Sequence, residues 1–335
     1  MRKSLIHASL ILALSLFTGL AAASPIGDLV GQLSKSDYRG YVQYLEGLGT
    51  RYVGTQGNVD ATNYVANTLG GFGLTVRRDA FDYGGDQYSN VEATLRGLTT
   101  PDKVLIIGAH FDSTSTPPTA PAPGADDNAS GTAAMLEIAS VFSQYRFDYS
   151  IRFLGFNVEE EGLVGSIAYA AEAKGNGDTI VGMLNLDMIA YNAGTNLMDV
   201  MGDQWLVDQF IADATSYVPS LLTRYSYKNN DESDQFPFNS VNYKGSTSLL
   251  AMEDATNTNP NYHQTTDTTN QLDFDFALKV TQASAATLAD LAGYVGVPEP
   301  PVALLLLAGL ALAAHRRRGS GSTGALVRLE AAIRY

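Results

Sequence analysis

The chain has 335 residues, 45% of them hydrophobic and 17% charged, so it is long enough to bury a large core and too apolar to be disordered. Residues 24–297 contain 14 Lys and Arg against 33 Asp and Glu, and this acidic excess argues against nucleic acid as a ligand. The chain contains no cysteine, which excludes disulfides and thiol chemistry. Any zinc site must therefore be built from His, Asp and Glu.

The first 23 residues have the layout of a secretory signal peptide. Arg2 and Lys3 precede an apolar run from Leu5 to Leu20, and three alanines end at Ala23. This order of basic, apolar and small residues is typical of exported proteins. We therefore expect export, cleavage near Ala23 and a folded domain over residues 24–296.

Within that domain, hydrophobic periodicity predicts alternating helices and strands. The predicted helices cover residues 58–69, 130–145, 166–174, 204–217 and 274–295. The predicted strands cover residues 74–83, 88–95, 103–109, 151–156, 180–187, 196–200 and 248–252. The segment KVLIIGA at 103–109 is a continuous apolar run after Lys103, as in a central strand that is covered on both sides. We predict a single α/β domain with a mixed, mostly parallel central sheet and helices on both faces.

Polar segments follow several predicted strands, at the edge where open α/β sheets bind ligands. In GAHFDS, His110 is a candidate metal ligand and Asp112 would orient its ring. A lone histidine is more often structural, but residues 24–297 contain only one other, His263. In GADDNASG, Asp127 is the candidate for a carboxylate that bridges two cations. The alternative for this segment is a cluster of helix N-caps, since Asp, Asn and Ser all serve there.

Three adjacent glutamates, Glu159 to Glu161, follow the predicted strand at 151–156. Like charges at a partly buried strand end destabilise one another unless cations neutralise them. A metal site would use one carboxylate as a ligand and leave its neighbour free as a base. The alternative is a solvated acidic turn.

Two further segments complete the set of candidate ligands. Asp187 ends an apolar strand in NLDMI, where an unpaired charge would be costly and metal ligation would remove that cost. His263 lies beside Tyr262 in the polar loop NPNYHQTTDT, and both side chains can equally be surface residues. Mixed histidine and carboxylate ligands suit zinc, while cobalt and manganese stay open.

The segments HFDS, GADDNASG, EEEGLVGS, NLDMI and YHQTTDT, in this order, resemble the co-catalytic dizinc exopeptidases of metallopeptidase family twenty-eight, of the bacterial leucyl aminopeptidase type. The resemblance covers roughly residues 41–294. It implies the phosphorylase/hydrolase-like zinc-peptidase fold, two Zn2+ per chain and peptide substrates. It also implies that Asp127 bridges the two ions, with His110 and Asp187 completing one site and Glu160 and His263 the other.

The resemblance further implies that Glu159 is the general base. The family pattern Glu-Glu-x-Gly-Leu-x-Gly-Ser places Gly162 in register and makes Glu161 the variable position. Tyr262 stands where some relatives use a tyrosine to polarise the scissile carbonyl. Gln235 is a departure, because relatives often carry His there; this difference concerns the substrate pocket and not a metal ligand.

Three alternatives to an aminopeptidase are compatible with the same scaffold. Carboxypeptidases share the ligand set, but they need cations for the substrate carboxylate, and no Arg or Lys lies inside the five segments. Glutaminyl cyclases use similar ligands with one zinc and stay open as an alternative. An inactive surface protein is disfavoured because the whole ligand set and Glu159 are retained. The sequence makes no prediction about the oligomeric state.

The C-terminal segment, residues 297–318, resembles a PEP-CTERM sorting signal. Val297-Pro298-Glu299-Pro300 precedes an apolar run of 13 residues and a basic cluster ending at Arg318. In certain Gram-negative bacteria, a membrane enzyme recognises signals with this order of segments and processes the tails of the surface proteins that carry them. The run is shorter than the roughly 20 residues of a helical span, and a buried helix is the alternative, but the arginines suit a membrane stop. Residues 319–335 form a basic tail beyond the point where such signals usually end.

Overall fold

The computed structural model describes residues 25–118, 120–226, 232–239 and 247–297. The predicted signal peptide and the predicted sorting segment beyond residue 297 lie outside these ranges, so export and sorting stay predictions. Within the described ranges, no helix is both long enough and apolar enough to span a bilayer.

Ten strands and eight α-helices lie within the described residues. The strands are β1 (Thr75–Tyr83), β2 (Asp86–Leu95), β3 (Thr100–His110), β4 (Arg146–Phe147), β5 (Tyr149–Phe156), β6 (Thr179–Leu186), β7 (Leu197–Gly202), β8 (Leu222–Tyr225), β9 (Ser248–Glu253) and β10 (Tyr294–Gly296). The helices are α1 (Pro25–Val30), α2 (Lys35–Glu46), α3 (Gln56–Gly71), α4 (Gly131–Phe142), α5 (Val164–Asn176), α6 (Gln204–Tyr217), α7 (Phe236–Asn239) and α8 (Phe274–Leu291).

Eight of the strands form one mixed sheet in the order β1-β2-β5-β3-β6-β9-β7-β8. The four central strands, β5, β3, β6 and β9, are parallel to one another. Antiparallel pairs flank them, with β2 beside β5 on one side and β7 beside β9 on the other. Because the central strands run the same way, their carboxyl ends meet at one edge, which is where ligands bind in open α/β sheets.

Both faces of the sheet are covered, as the apolar run in β3 predicts. Leu105, Ile107 and Ala109 pack into a large core with α1 to α4, α6 and α8, whereas Val104 and Ile106 pack on the opposite face against α5. This alternation follows from the period-2 geometry of a strand. The predicted fold class, a single α/β domain with helices on both faces, is confirmed.

Several predicted boundaries were wrong. The helix predicted over 58–69 begins earlier, at Gln56, because the Thr55 hydroxyl accepts the first-turn hydrogen bond from the Asn58 N–H. The helix predicted over 274–295 ends at Leu291, where Gly293 takes a φ of +68° and the chain turns into β10. A glycine in this conformation is a common helix stop.

Candidate metal centre

The predicted site residues converge at the carboxyl edge of the central strands. His110 is the last residue of β3, and Asp187 directly follows β6. Glu159 and Glu160 lie in the turn after β5, and His263 lies in the loop after β9. Parallel strands thus bring together four segments that are far apart in the sequence.

Asp127 lies between the two histidines. Its Oδ1 is 3.3 Å from His110 Nε2, and its Oδ2 is 3.1 Å from His263 Nε2. One carboxylate oxygen therefore faces each imidazole, which is the arrangement expected of a ligand shared by two ions.

Each half of the cluster has a second carboxylate. Asp187 Oδ1 is 3.4 Å from His110 Nε2, and Glu160 Oε2 is 2.9 Å from His263 Nε2. The donor atoms of His110, Asp127 and Asp187 form one group in which all lie within 4.8 Å of one another, and those of Asp127, Glu160 and His263 form a second. Tetrahedral zinc takes ligands of these types.

Several of these donor atoms are buried without a hydrogen-bond partner. They include Nε2 of His110 and Oδ1 of Asp187. Buried polar atoms are normally paired, so unpaired donors that point at one another fit a bound cation.

Glu159 differs from the ligand candidates in what it faces. Its side chain is 11% exposed, its Oε2 lies 3.9 Å from His110 Nε2, and it lines the adjoining cavity. Glu159 and Glu160 also satisfy metal-ligand spacing together with His110. The contact of Glu160 with His263 and the position of Glu159 on the cavity wall distinguish the two glutamates.

A tight turn sets the register of the three glutamates. The Gly162 N–H donates to the Glu159 carbonyl, and Gly162 has a φ of +99°, a conformation that favours glycine. Glu161 faces away from the histidines and accepts a hydrogen bond from the Tyr83 hydroxyl on β1 at 2.8 Å. The interpretation of these glutamates as a solvated acidic turn therefore fails for Glu159 and Glu160.

Three non-glycine residues around the cluster have a left-handed backbone. Val158, Met188 and His263 have φ values of 60°, 52° and 54°. Such conformations are strained for branched or bulky residues and tend to occur at functional sites, where the surrounding structure maintains them.

Asp112 connects the two halves of the cluster. Its Oδ1 lies 3.5 Å from Nδ1 of His110, the ring that the sequence predicts it to orient. It also accepts hydrogen bonds from the Glu159 and Glu160 N–H groups, both at 3.2 Å, a role that the sequence did not indicate. One buried carboxylate thus hydrogen-bonds the glutamate turn and also lies beside a histidine.

Asp267 and Asp126 fix the backbone of the segment that contains Asp127, and neither was predicted as a site residue. Asp267 accepts hydrogen bonds from the Asp126 and Asp127 N–H groups. Asp126 accepts from the Ala190 N–H at 2.9 Å, which ties this segment to the loop after β6. The only signal in the sequence was that both lie inside the motif segments.

The N-cap interpretation of GADDNASG is correct for Asn128. Its Oδ1 accepts a hydrogen bond from the Gly131 N–H at the start of α4, and its Nδ2 donates to the Leu186 carbonyl. The segment therefore has two roles, since Asn128 caps the helix while Asp127 faces the histidines.

Ser233 is a further residue that the sequence did not single out for a role. Its hydroxyl donates to Asp187 Oδ2 at 2.6 Å, and it accepts a hydrogen bond from Asn185 Nδ2. Gln235 also accepts from Asn185 and is buried. The departure at Gln235 is thus separated from Asp187 by other side chains, and Gln235 does not line the cavity.

The cluster is strongly anionic, and burial together with the neighbouring groups shifts the pKa values of its side chains. Burial raises the pKa of Glu160 to about 8, with the charge of Asp127 adding to the effect. Burial lowers the pKa of His263, but hydrogen bonds to Asp127 and Glu160 outweigh it and raise the pKa to about 10. Burial also raises the pKa of Glu159 well above its ordinary value, although the charge of His110 acts against it.

A cavity of about 220 Å³ opens beside the cluster. Glu159 and Asp187 line its polar side. Its apolar side is formed by Met188, Met201, Leu250 and Met252. Tyr262 also lines the cavity, is 49% exposed and stacks on the His263 ring with centroids 3.8 Å apart.

Comparison with known proteins identifies the family. The sequence profile of Peptidase family M28 matches residues 90–288, which is more than half of the chain. The chain therefore belongs to this family. Membership confirms the family that the five motifs indicated and the prediction of a peptidase that acts on peptide substrates.

Similar proteins include leucine aminopeptidase 1 of Coccidioides posadasii, 28% identical over 294 residues that cover 80% of this chain and 74% of that protein. Among solved structures, the LapA aminopeptidase of Legionella pneumophila is 19% identical with a TM-score of 0.71, covering 80% of this chain and 74% of that one. A glutaminyl cyclase of Bacteroides thetaiotaomicron is also 19% identical, with a TM-score of 0.64 over 76% of this chain and 97% of that one. At these identities the structural likenesses establish the fold alone.

Proposed function

We propose that the protein is an exported aminopeptidase that removes N-terminal residues from peptides with the help of two zinc ions. The observation that carries the proposal is the position of Asp127, whose two oxygens face His110 and His263. The curated relative named a leucine aminopeptidase supports the reaction class, and another relative, from Pyricularia oryzae, is named a probable zinc metalloprotease.

In this proposal five side chains hold the ions. His110 and Asp187 would hold one ion, Glu160 and His263 would hold the other, and Asp127 would be shared between them. When bound, two such ions lower the pKa of the attacking water and polarise the scissile carbonyl. The unpaired Nε2 of His110 and the unpaired Oδ1 of Asp187 support this assignment.

Glu159 is the general base. Its buried carboxylate lines the cavity next to His110, where it accepts a proton from the attacking water and later donates it to the amine of the leaving peptide. Burial raises the pKa of this side chain, which makes it a stronger base for the proton of the attacking water.

The cavity beside Glu159 would receive the N-terminal residue. Its methionine and leucine wall suits an apolar side chain, because methionine adapts to varied apolar shapes. Asp187 on the polar side favours the ammonium group of a free N-terminus. Tyr262 borders the same space, where its hydroxyl would polarise the carbonyl of the scissile bond.

Export rests on the signal-peptide layout of residues 1–23, and a surface or envelope location in a Gram-negative bacterium rests on the PEP-CTERM-like segment. We include processing by a membrane sorting enzyme in the proposal. Comparing the N- and C-terminal masses of the protein from secreting cells with the encoded sequence tests both, and intact ends would contradict them.

The test of the activity uses the purified protein with leucyl-4-nitroanilide. We expect two zinc ions per chain, hydrolysis that 1,10-phenanthroline abolishes and zinc restores, and no cleavage of the N-acetylated substrate. Cyclisation of an N-terminal glutamine without nitroanilide hydrolysis would instead favour a cyclase. A zinc-free protein that hydrolyses neither substrate would overturn the proposal.

A further inference from the structure

Arg51, in the loop between α2 and α3, is fully buried and lies behind the metal centre. Its Nε donates to the Phe111 carbonyl at 2.6 Å, Nη1 donates to the Pro123 and Leu45 carbonyls at 2.7 and 3.2 Å, and Nη2 donates to the Gly124 carbonyl at 2.8 Å. None of the hydrogen bonds described for this guanidinium goes to a carboxylate. Buried arginines are usually paired with one.

Three of the four carbonyl acceptors belong to the two segments that contain the predicted ligands His110 and Asp127, and the fourth, Leu45, lies at the end of α2. Phe111 lies between His110 and Asp112, and Gly124 begins the segment that contains Asp127. The Arg51 N–H also donates to the Ser113 hydroxyl. A single planar guanidinium thus fixes the spacing between the His110 loop and the Asp127 loop, for which its rigid fork of donors is suited.

The loop of Arg51 also reaches the glutamate turn. The Arg51 carbonyl accepts a hydrogen bond from Asn58 Nδ2, and the Asn58 and Asn157 side chains exchange two hydrogen bonds at 2.7 and 3.1 Å. Asn157 in turn accepts a hydrogen bond from the Val158 N–H. A chain of buried polar contacts therefore runs from Arg51 to the turn that contains Glu159 and Glu160.

Gly124 lies so close to the Arg51 guanidinium that a side chain at this position would collide with it. A Cβ at this position would lie 2.9 Å from Arg51 Nη2 and 2.3 Å from the Asp127 carbonyl oxygen. The loop therefore packs directly onto the guanidinium. A displacement of Arg51 would be transmitted to the backbone of the shared ligand.

The positive charge of Arg51 also suits its position near the carboxylates of the metal centre. Burial lowers its pKa to about 10, against the opposing effects of Asp112, Asp267, Asp127 and Glu160, so the side chain is a cation at neutral pH. It is an internal positive charge beside a cluster of carboxylates that repel one another.

We propose that Arg51 is a positioning residue for the metal centre, which fixes the His110 and Asp127 loops in the separation that two metal ions require. This inference rests on the proposed function, since it concerns the same site. It assigns Arg51 no contact with substrate or with the reacting atoms.

The test compares Arg51→Lys and Arg51→Met with the wild type by zinc titration against a competing chromophoric chelator. Lysine keeps the charge but offers a single ammonium, which cannot bond the carbonyls of both loops in the same geometry. We expect both variants to keep the far-ultraviolet circular dichroism of the zinc-free wild type and to bind zinc about 10- to 100-fold more weakly, the usual effect of disturbing residues behind the ligands.

Arg152→Met is the matched control. Arg152 pairs with Asp178 and donates to the Tyr169 hydroxyl on the α5 side of the sheet, away from the metal centre. We expect this variant to melt at a lower temperature while its zinc affinity stays within about twofold of the wild type.

Two results would overturn the proposal. One is wild-type zinc affinity in Arg51→Lys, which would leave at most a role for the charge. The other is failure of Arg51→Lys to fold, which would make Arg51 a support of the whole domain. A wild-type protein that binds no zinc would instead refute the proposed function.

Discussion

The substitution Asp112→Asn probes how the two halves of the metal centre are joined. Asp112 accepts hydrogen bonds from the Glu159 and Glu160 N–H groups and lies beside His110 Nδ1. Asparagine has the same shape, but one of its two terminal atoms is an NH2 group that cannot accept from a backbone N–H. The substitution therefore removes one acceptor and the negative charge without leaving a cavity.

The magnitude follows from the bonds that are lost. A hydrogen bond to a charged group contributes about 1.5–3 kcal/mol, so the loss of one costs about 2 kcal/mol. If this cost falls on the arrangement that binds metal, zinc affinity decreases about 30-fold, at 1.4 kcal/mol per factor of ten. Both ions are affected, because Asp112 contacts the backbone of Glu160 as well as the ring of His110.

Zinc affinity is measured by competition with a chelator, and the free energy of unfolding of the zinc-free protein by urea titration. Asp199→Asn is the control: Asp199 is equally buried and accepts hydrogen bonds from Arg224 and the Ala255 N–H, outside the metal centre. We expect the control to lose stability and keep its zinc affinity. If Asp112→Asn behaves like the control, Asp112 does not organise the metal centre.

Three further predictions concern single substitutions. His263→Ala should lose one zinc per chain and keep the other, and a full complement of two in metal analysis would contradict its role as a ligand. Asp267→Ala leaves the N–H groups of Asp126 and Asp127 without their acceptor and should lower the free energy of unfolding by about 3 kcal/mol, whereas a change below about 1 kcal/mol in urea titration would show that they find other partners. Asp273 caps α8 by accepting the Asp275 and Phe276 N–H groups, so Asp273→Ala should cost about 1 kcal/mol at pH 7. Burial raises the pKa of Asp273, but hydrogen bonds from Asn192 and the helix outweigh this effect and lower the pKa. The difference in unfolding free energy between wild type and variant should therefore be complete above the ordinary aspartate pKa and vanish as the pH falls through the lowered pKa. A difference that does not depend on pH would contradict a charged cap.

The central strands could be predicted because burial on both faces leaves long apolar runs in the sequence. The segment at 103–109 agrees with β3 for this reason, and the helix predicted at 204–217 agrees with α6 because its apolar residues recur at helical spacing. By contrast, α2 was missed because only Tyr38, Val42 and Leu45 mark its buried face. The two-residue strand β4 exists only through its pairing with β10 at the far end of the domain, and a local pattern cannot reveal such a partner.

The same division applies to the metal centre. Ligand candidates could be found because His, Asp and Glu at the ends of apolar strands are energetically unfavourable unless they are paired or bind a metal ion. Residues that hold them in place could not, because Arg51, Asp267 and Ser233 act through hydrogen bonds to segments remote in sequence. Their residue types are ordinary for loops, and only the packed structure shows which groups they contact.

The most direct test of the account is the turnover of Glu159→Gln, measured with leucyl-4-nitroanilide alongside the zinc content of the same sample. Glutamine preserves the shape of the side chain but cannot take the proton of the attacking water. Loss of a general base typically costs about 10²- to 10⁴-fold in rate. We predict two zinc ions per chain, an unchanged fold and a loss of this size. Near-normal turnover in the zinc-loaded variant would contradict Glu159 as the base and, with it, the proposed mechanism.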